Sequence, residues 1–127
     1  MSWLHYLGAK LFKSSRLKPN TIVVGIDTPS YRLASYLQQA HLANIIAFID
    51  DEPWSNRTDI LGVTVRYPSD LSALIEKWQV TRVIEFDGKG LIPDDLREEL
   101  KSLPFEYVVL DPAITPDHWA QQIQNSL

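Results

Sequence analysis

Five short runs rich in β-branched residues, "TIVVG", "NIIAFID", "GVTVRY", "RVIEF" and "FEYVVLD", recur along the chain, most of them separated by segments with helical apolar spacing. Runs this short suit strands covered on both faces better than helices, which need more residues to bury a stripe. A strand, helix, strand order requires a parallel crossover, and that connection is almost always right-handed. The pattern predicts an α/β fold: a mostly parallel five-stranded sheet with helices on both faces. Strands are expected near residues 21–25, 44–49, 82–86 and 105–110, with a further short strand in "GVTVRY".

The intervening segments supply the helices. From Tyr31 onward, Leu33, Ala34, Leu37, Ala40 and His41 recur at helical spacing, with Pro29 suited to the first turn and Thr28 expected as N-cap. Ser69 or Asp70 can cap a helix that carries Leu71, Leu74, Ile75 and Trp78 on one side. The segment from Pro93 to Leu103 places Leu96, Leu100 and Leu103 together, and Pro116 opens a helix with Trp119, Ile123 and Leu127 at four-residue steps. The polar stretch from Glu52 to Asp59 reads as a loop.

At 127 residues the chain suits one domain. Residues 1–19 form a separate basic leader, in which Trp3, Leu4, Leu7, Leu11 and Phe12 lie at helical spacing with Lys10, Lys13 and Arg16 between them. Pro19-Asn20 ends this amphipathic helix, and residues 20–127 form the α/β domain. The leader can pack on the domain or on a second copy in a homo-oligomer, or make a peripheral membrane contact through residues 3–17.

Charge separates these two parts. The first twenty residues hold four of the twelve basic residues and no acid, so the rest sets eight basic residues against all sixteen acids. An acidic body repels phosphate backbones, which argues against nucleic acid as a partner. The longest apolar runs are about five residues, whereas a bilayer-crossing helix needs roughly 20. No apolar stretch follows the early cations as a signal peptide requires. With no cysteine in the chain, disulfides and thiolate chemistry are excluded, and a cytoplasmic location is expected.

In order and at matching intervals, "TIVVG", "ANIIAFIDDEP", "DILGVTV" and "TRVIEFDG" resemble the Rossmann-like, CoA-binding-like nucleotide-binding domain of nucleoside-diphosphate-sugar epimerases and dehydratases of bacterial polysaccharide biosynthesis. The resemblance runs from Thr21 to about Pro112, roughly 90 residues. It implies a Rossmann-like fold, NAD(P) or another nucleotide as ligand, and a nucleotide or nucleotide-sugar as small-molecule partner.

The same resemblance nominates binding residues. A GxGxxG-type turn follows the first strand in this family and lets the backbone approach a pyrophosphate at a helix N-terminus. Here it reads Gly25-Ile26-Asp27-Thr28-Pro29-Ser30. Asp27 stands in the place of the second glycine, and Pro29 removes one amide, so both weaken a phosphate cradle. The hydroxyls of Thr28 and Ser30 remain as donors. Asp50, 25 residues beyond Gly25, falls where the family has an acid that accepts from ribose hydroxyls, and Asp51 follows it. Asp87 and Gly88 end the "RVIEF" strand beside the crevice in which open α/β sheets bind ligands.

Each of these residues also has a purely structural explanation, since Gly25 suits a tight turn, Asp50 and Asp51 a solvated loop, and Asp87-Gly88 a common turn pair. No catalytic set stands out. The Tyr-x-x-x-Lys spacing of short-chain-type enzymes occurs at Tyr6 and Lys10, ahead of the first strand, and no GxSxG elbow is present. His5, His41 and His118 show no metal-ligand spacing. The last strand is followed by too little chain for a substrate-binding half. The chain therefore reads as a stand-alone nucleotide-binding domain without catalysis of its own, any epimerase- or dehydratase-type activity requiring a partner. The alternative is a scaffold or regulatory protein with a degenerate nucleotide site, acting by dimerisation or docking of its leader.

Overall fold

The computed structural model describes residues 18–125. The leader helix expected over residues 3–17 lies outside them. The parallel strands are β1 (Asn20–Val24), β2 (Asn44–Ile49), β4 (Val63–Arg66), β5 (Arg82–Phe86) and β6 (Glu106–Leu110), and β3 (Asp59–Ile60) pairs antiparallel with β4. The helices are α1 (Thr28–Gln39), α2 (Leu71–Lys77), α3 (Asp94–Leu100) and α4 (Trp119–Asn125). The strand order is β3-β4-β2-β1-β5-β6. The chain thus moves outward from β1 to β2 and β4, then returns to β1's other side for β5 and β6. That reversal makes the gap between β1 and β5 the topological switch point.

Alternation along each buried strand divides the core into two layers. Ile22, Val24, Ala47, Ile49 and Val83 pack with Leu71, Leu74 and Ile75 of α2 and Leu100 of α3. On the other face Ile84, Phe86, Val108 and Leu110 meet Leu33 and Leu37 of α1 and Trp119 and Ile123 of α4, while Val23, Phe48 and Val65 surround Ala34. The ring of Trp119 stands edge-on to Phe86 at 5.9 Å and to Tyr36 at 6.2 Å. Helices on both faces of a mostly parallel sheet agree with the sequence pattern.

Five local expectations are corrected. The sheet has six strands, because Asp59 and Ile60 pair with Thr64 and Val63 across a Leu61-Gly62 turn in which both residues have positive φ, 54° and 75°. This two-residue reversal matches the twist of a hairpin. The N-cap of α1 is Asp27 and not Thr28, because Asp27 keeps extended backbone (ψ 176°) and accepts from the Ser30 N–H, while Thr28 is already helical. α1 ends at Gln39, leaving Ala40 and His41 exposed, and α2 ends at Lys77, leaving Trp78 half exposed. α3 closes at Leu100, three residues short of its expected end.

Among the described residues no helix is long and apolar enough to cross a membrane. The same residues contain no group of three or more His, Asp or Glu side chains placed to hold a metal ion.

Candidate functional site

Gly25, Asp50 and Asp87 each stand one residue beyond the carboxyl end of β1, β2 or β5, three adjacent parallel strands. Their amides continue the ladder: Gly25 N–H donates to Ile49 O at 2.7 Å, Asp50 N–H to Arg66 O at 3.0 Å and Asp87 N–H to Leu110 O at 2.8 Å. The three strand ends therefore share one rim, and loops spring from it at the switch point.

A cleft of about 360 Å³ opens there, walled by Gly25, Ile26, Asp27, Asp50, Glu52, Trp54, Lys89 and Leu91. Its volume lies at the small end of the range for small-molecule sites, ~300 to 1,000 Å³. Of the residues nominated by the sequence, the structure brings Gly25, Asp27 and Asp50 into this wall. Thr28, Asp51, Asp87 and Gly88 are exposed on the same rim but outside the wall, and Ser30 is buried beneath it.

The β1–α1 turn is built around Asp27. Its Oδ1 accepts from the Ser30 hydroxyl at 2.6 Å and from the Ser30 N–H at 3.3 Å, while its Oδ2 forms an ion pair with the Lys89 ammonium. Lys89 belongs to the β5–α3 loop, so this pair spans the crevice between β1 and β5. Gly25, at φ +112°, brings the chain past Ser30 with no room for a side chain. The carboxylate thereby takes the place at the start of α1 where the positive end of the helix attracts anions.

Asp50 is 8% exposed, and its Oδ2 accepts from the Ser55 hydroxyl at 2.7 Å and the Glu52 N–H at 3.4 Å. These bonds fold the loop after β2 back on itself and hold Trp54 at the cleft, where it is 72% exposed. Lys89, Trp54, Glu52, Ile26 and Leu91 are the wall residues that sequence reading passed over. A signal existed for two of them: Lys89 is a cation between two turn glycines at the end of a strand, and Trp54 is a lone aromatic in a polar loop.

A second charged cluster lies away from the rim, between β5, β6 and α3. Glu85, 4% exposed, accepts from Arg97 Nη2 at 2.7 Å, and the Arg97 guanidinium stands 5.2 Å from the centre of the Tyr107 ring. The Glu85 hydrogen bond, with its charge, holds the guanidinium above its ordinary pKa. Burial, reinforced by the Glu85 charge, raises the Tyr107 phenol well above its ordinary value near 10. Arg97 and Tyr107 also line a cavity with Leu100, Lys101, Leu103 and Phe105, toward the amino end of β6.

No family model and no curated protein matches the chain. Solved structures do. The UDP-D-quinovosamine 4-dehydrogenase from Vibrio fischeri is similar at 24% identity and a TM-score of 0.63, over 82% of this chain and 84% of that one. RSP, a Rex-family repressor, is similar in complex with β-NADH at 20% identity and a TM-score of 0.60, over 89% of this chain. In complex with β-NAD+ and operator DNA it gives 16% identity and a TM-score of 0.59, over 95% of this chain. The chain spans 57% and 61% of those two RSP chains. At such identities the likeness shows the fold, and with the strand order and rim above it makes this chain a Rossmann-like α/β domain.

Proposed function

We propose that this domain binds a nucleotide-class ligand in the rim cleft and has no catalytic activity of its own. The observation that carries the reading is the position of the cleft, which lies at the switch point between β1 and β5 and is walled by Asp50 from the end of β2. Carboxylates at that strand end accept from ribose hydroxyls in dinucleotide-binding folds. RSP binds β-NADH, and the Vibrio fischeri protein is a UDP-sugar dehydrogenase; both support a nucleotide or nucleotide-sugar here, with NAD(P) among the candidates. Asp51, Thr28, Asp87 and Gly88, exposed on the rim outside the wall, are proposed to meet the outer parts of a ligand larger than the cleft. The sequence resemblance adds sugar-nucleotide modification in polysaccharide biosynthesis as the setting, in the cytoplasm.

Isothermal titration of the full chain with NAD+, NADH, NADP+, a UDP-sugar, coenzyme A, adenosine and uridine tests the reading. Saturable heat is expected with at least one of them. A folded sample giving none at millimolar concentration removes it.

A second reading is favoured by one feature: Asp27 already fills the start of α1. In it the domain is a scaffold or regulatory protein with a degenerate site, acting as a homo-oligomer or through residues 1–19, including membrane contact. Light scattering and liposome sedimentation of the full chain decide it, a monomer that ignores lipid counting against it.

A further inference from the structure

We infer that Asp27 is a resident substitute for phosphate, so the cleft selects a neutral, hydroxyl-bearing ligand of the nucleoside class over one carrying a diphosphate. The inference rests on the reading of the cleft as a nucleotide-class site and narrows it: NAD(P) and nucleotide-sugars, which carry a diphosphate, become weaker candidates than a nucleoside.

A helix of 12 residues such as α1 leaves its first amides without intrahelical acceptors, and these attract an anion. In this chain the anion is internal. One oxygen of Asp27 takes the Ser30 hydroxyl and amide, and the other takes the Lys89 ammonium. The hydroxyl and the cation best placed to hold a phosphate are therefore both bound to a single carboxylate. Ser30 has no accessible surface, so its hydroxyl is turned to Asp27 and not to the cleft. Pro29 at the second helical position contributes no N–H.

The rest of the wall extends the argument. Among the described residues of the wall, Asp27, Asp50 and Glu52 set three carboxylates against the ammonium of Lys89, which Asp27 already neutralises. A diphosphate entering the cleft meets like charge at short range. A ribose meets acceptors for its hydroxyls instead, because carboxylates accept and do not donate. The exposed ring of Trp54 and the apolar surfaces of Ile26 and Leu91 offer a flat heterocycle a place to stack.

The test is a ranking of affinities for the full chain: adenosine against ADP, and uridine against UDP, at low salt. The wild-type protein is expected to bind at least one nucleoside about tenfold or more tightly than its diphosphate. Asp27→Gly removes the substitute, and glycine is tolerated at an N-cap; Asp27→Asn keeps the cap and removes the charge. Both variants are expected to raise diphosphate affinity by about tenfold, with the larger gain for Asp27→Gly. A wild-type protein that binds ADP or UDP as tightly as the nucleoside overturns the inference and leaves the cleft reading standing. So do variants in which diphosphate affinity does not move. Absence of binding by all four probes to wild type and variants overturns the inference, and the wider titration with the dinucleotides, the UDP-sugar and coenzyme A then decides the cleft reading separately. The wild-type ranking decides the matter even where a variant fails to fold.

Discussion

A methyl group on Gly25 would stand 2.7 Å from the hydroxyl oxygen of Ser30, on a backbone whose φ is +112°. Two separate costs follow, a steric one that depends on Ser30 and a conformational one that does not. Gly25→Ala is expected to lower stability by ~1 to 3 kcal/mol, the range for a non-glycine residue held in a sparsely populated region. Adding Ser30→Ala should recover part of the loss and no more, because φ stays positive. Urea unfolding of the single and double variants measures this, and full recovery in the double variant would remove the backbone argument.

Glu85 is the buried member of its ion pair, and Arg97, with 36% of its side chain exposed, is the member water can reach. Arg97→Ala leaves a carboxylate in the core with no counter-charge. Breaking a fully buried pair costs ~3 to 5 kcal/mol; solvent at Arg97 reduces the expected loss to about 2 kcal/mol. Replacing both residues with leucine should cost less than Arg97→Ala alone, since the apolar pair leaves no charge to bury. A double-mutant cycle by chemical denaturation checks both statements.

Tyr107 makes the domain sensitive to alkali. Its phenol is held above the ordinary value by burial and by Glu85, so the folded state keeps the proton at a pH where the unfolded chain releases it. Stability from this group is therefore complete below pH ~10 and falls as pH rises above it. Of the chain's five tyrosines, Tyr107 is expected to be missing from the ultraviolet titration until the protein unfolds. In Tyr107→Phe the alkaline loss of stability should shrink, and an unchanged slope would contradict the assignment.

Ser55 is fully buried and donates to Asp50 at 2.7 Å while its own carbonyl accepts from the Thr58 hydroxyl at 2.6 Å. Ser55→Ala leaves the buried Asp50 oxygen short of a donor, with an expected cost of ~1 to 2 kcal/mol. The change should also loosen the turn that carries Trp54. Faster amide hydrogen exchange over residues 51–58, with β1 and β5 unaffected, is the expected result.

The parallel sheet was legible because strands covered on both faces are dominated by apolar and β-branched residues, as "TIVVG" and "NIIAFID" are; "RVIEF" keeps that character in Val83, Ile84 and Phe86 although Arg82 and Glu85 are buried with them. β3 was not legible. Two residues carry no period, and the turn that joins them to β4 is Leu61-Gly62, where an Asn-Gly signature would have announced a hairpin. Trp78 shares the spacing of Leu71, Leu74 and Ile75 yet is half exposed, because spacing says which face a residue occupies but not where the helix stops. The carboxyl rim at Gly25, Asp50 and Asp87 was readable, since each residue ends a recognisable run.

The sequence alone determined the α/β pattern of strands and helices, the residues that line both faces of the sheet, and the departure of the first turn from a diphosphate-binding pattern at Asp27 and Pro29. Tertiary structure decided what that departure means, by bringing Lys89 from 62 positions away to neutralise Asp27 across the switch point. It likewise set Arg97 against Glu85 and Ser55 against Asp50. The physical reason is range: hydrophobic period and turn chemistry act between near neighbours in the chain, whereas the partner of a charge is set by how the folded strands place their loops.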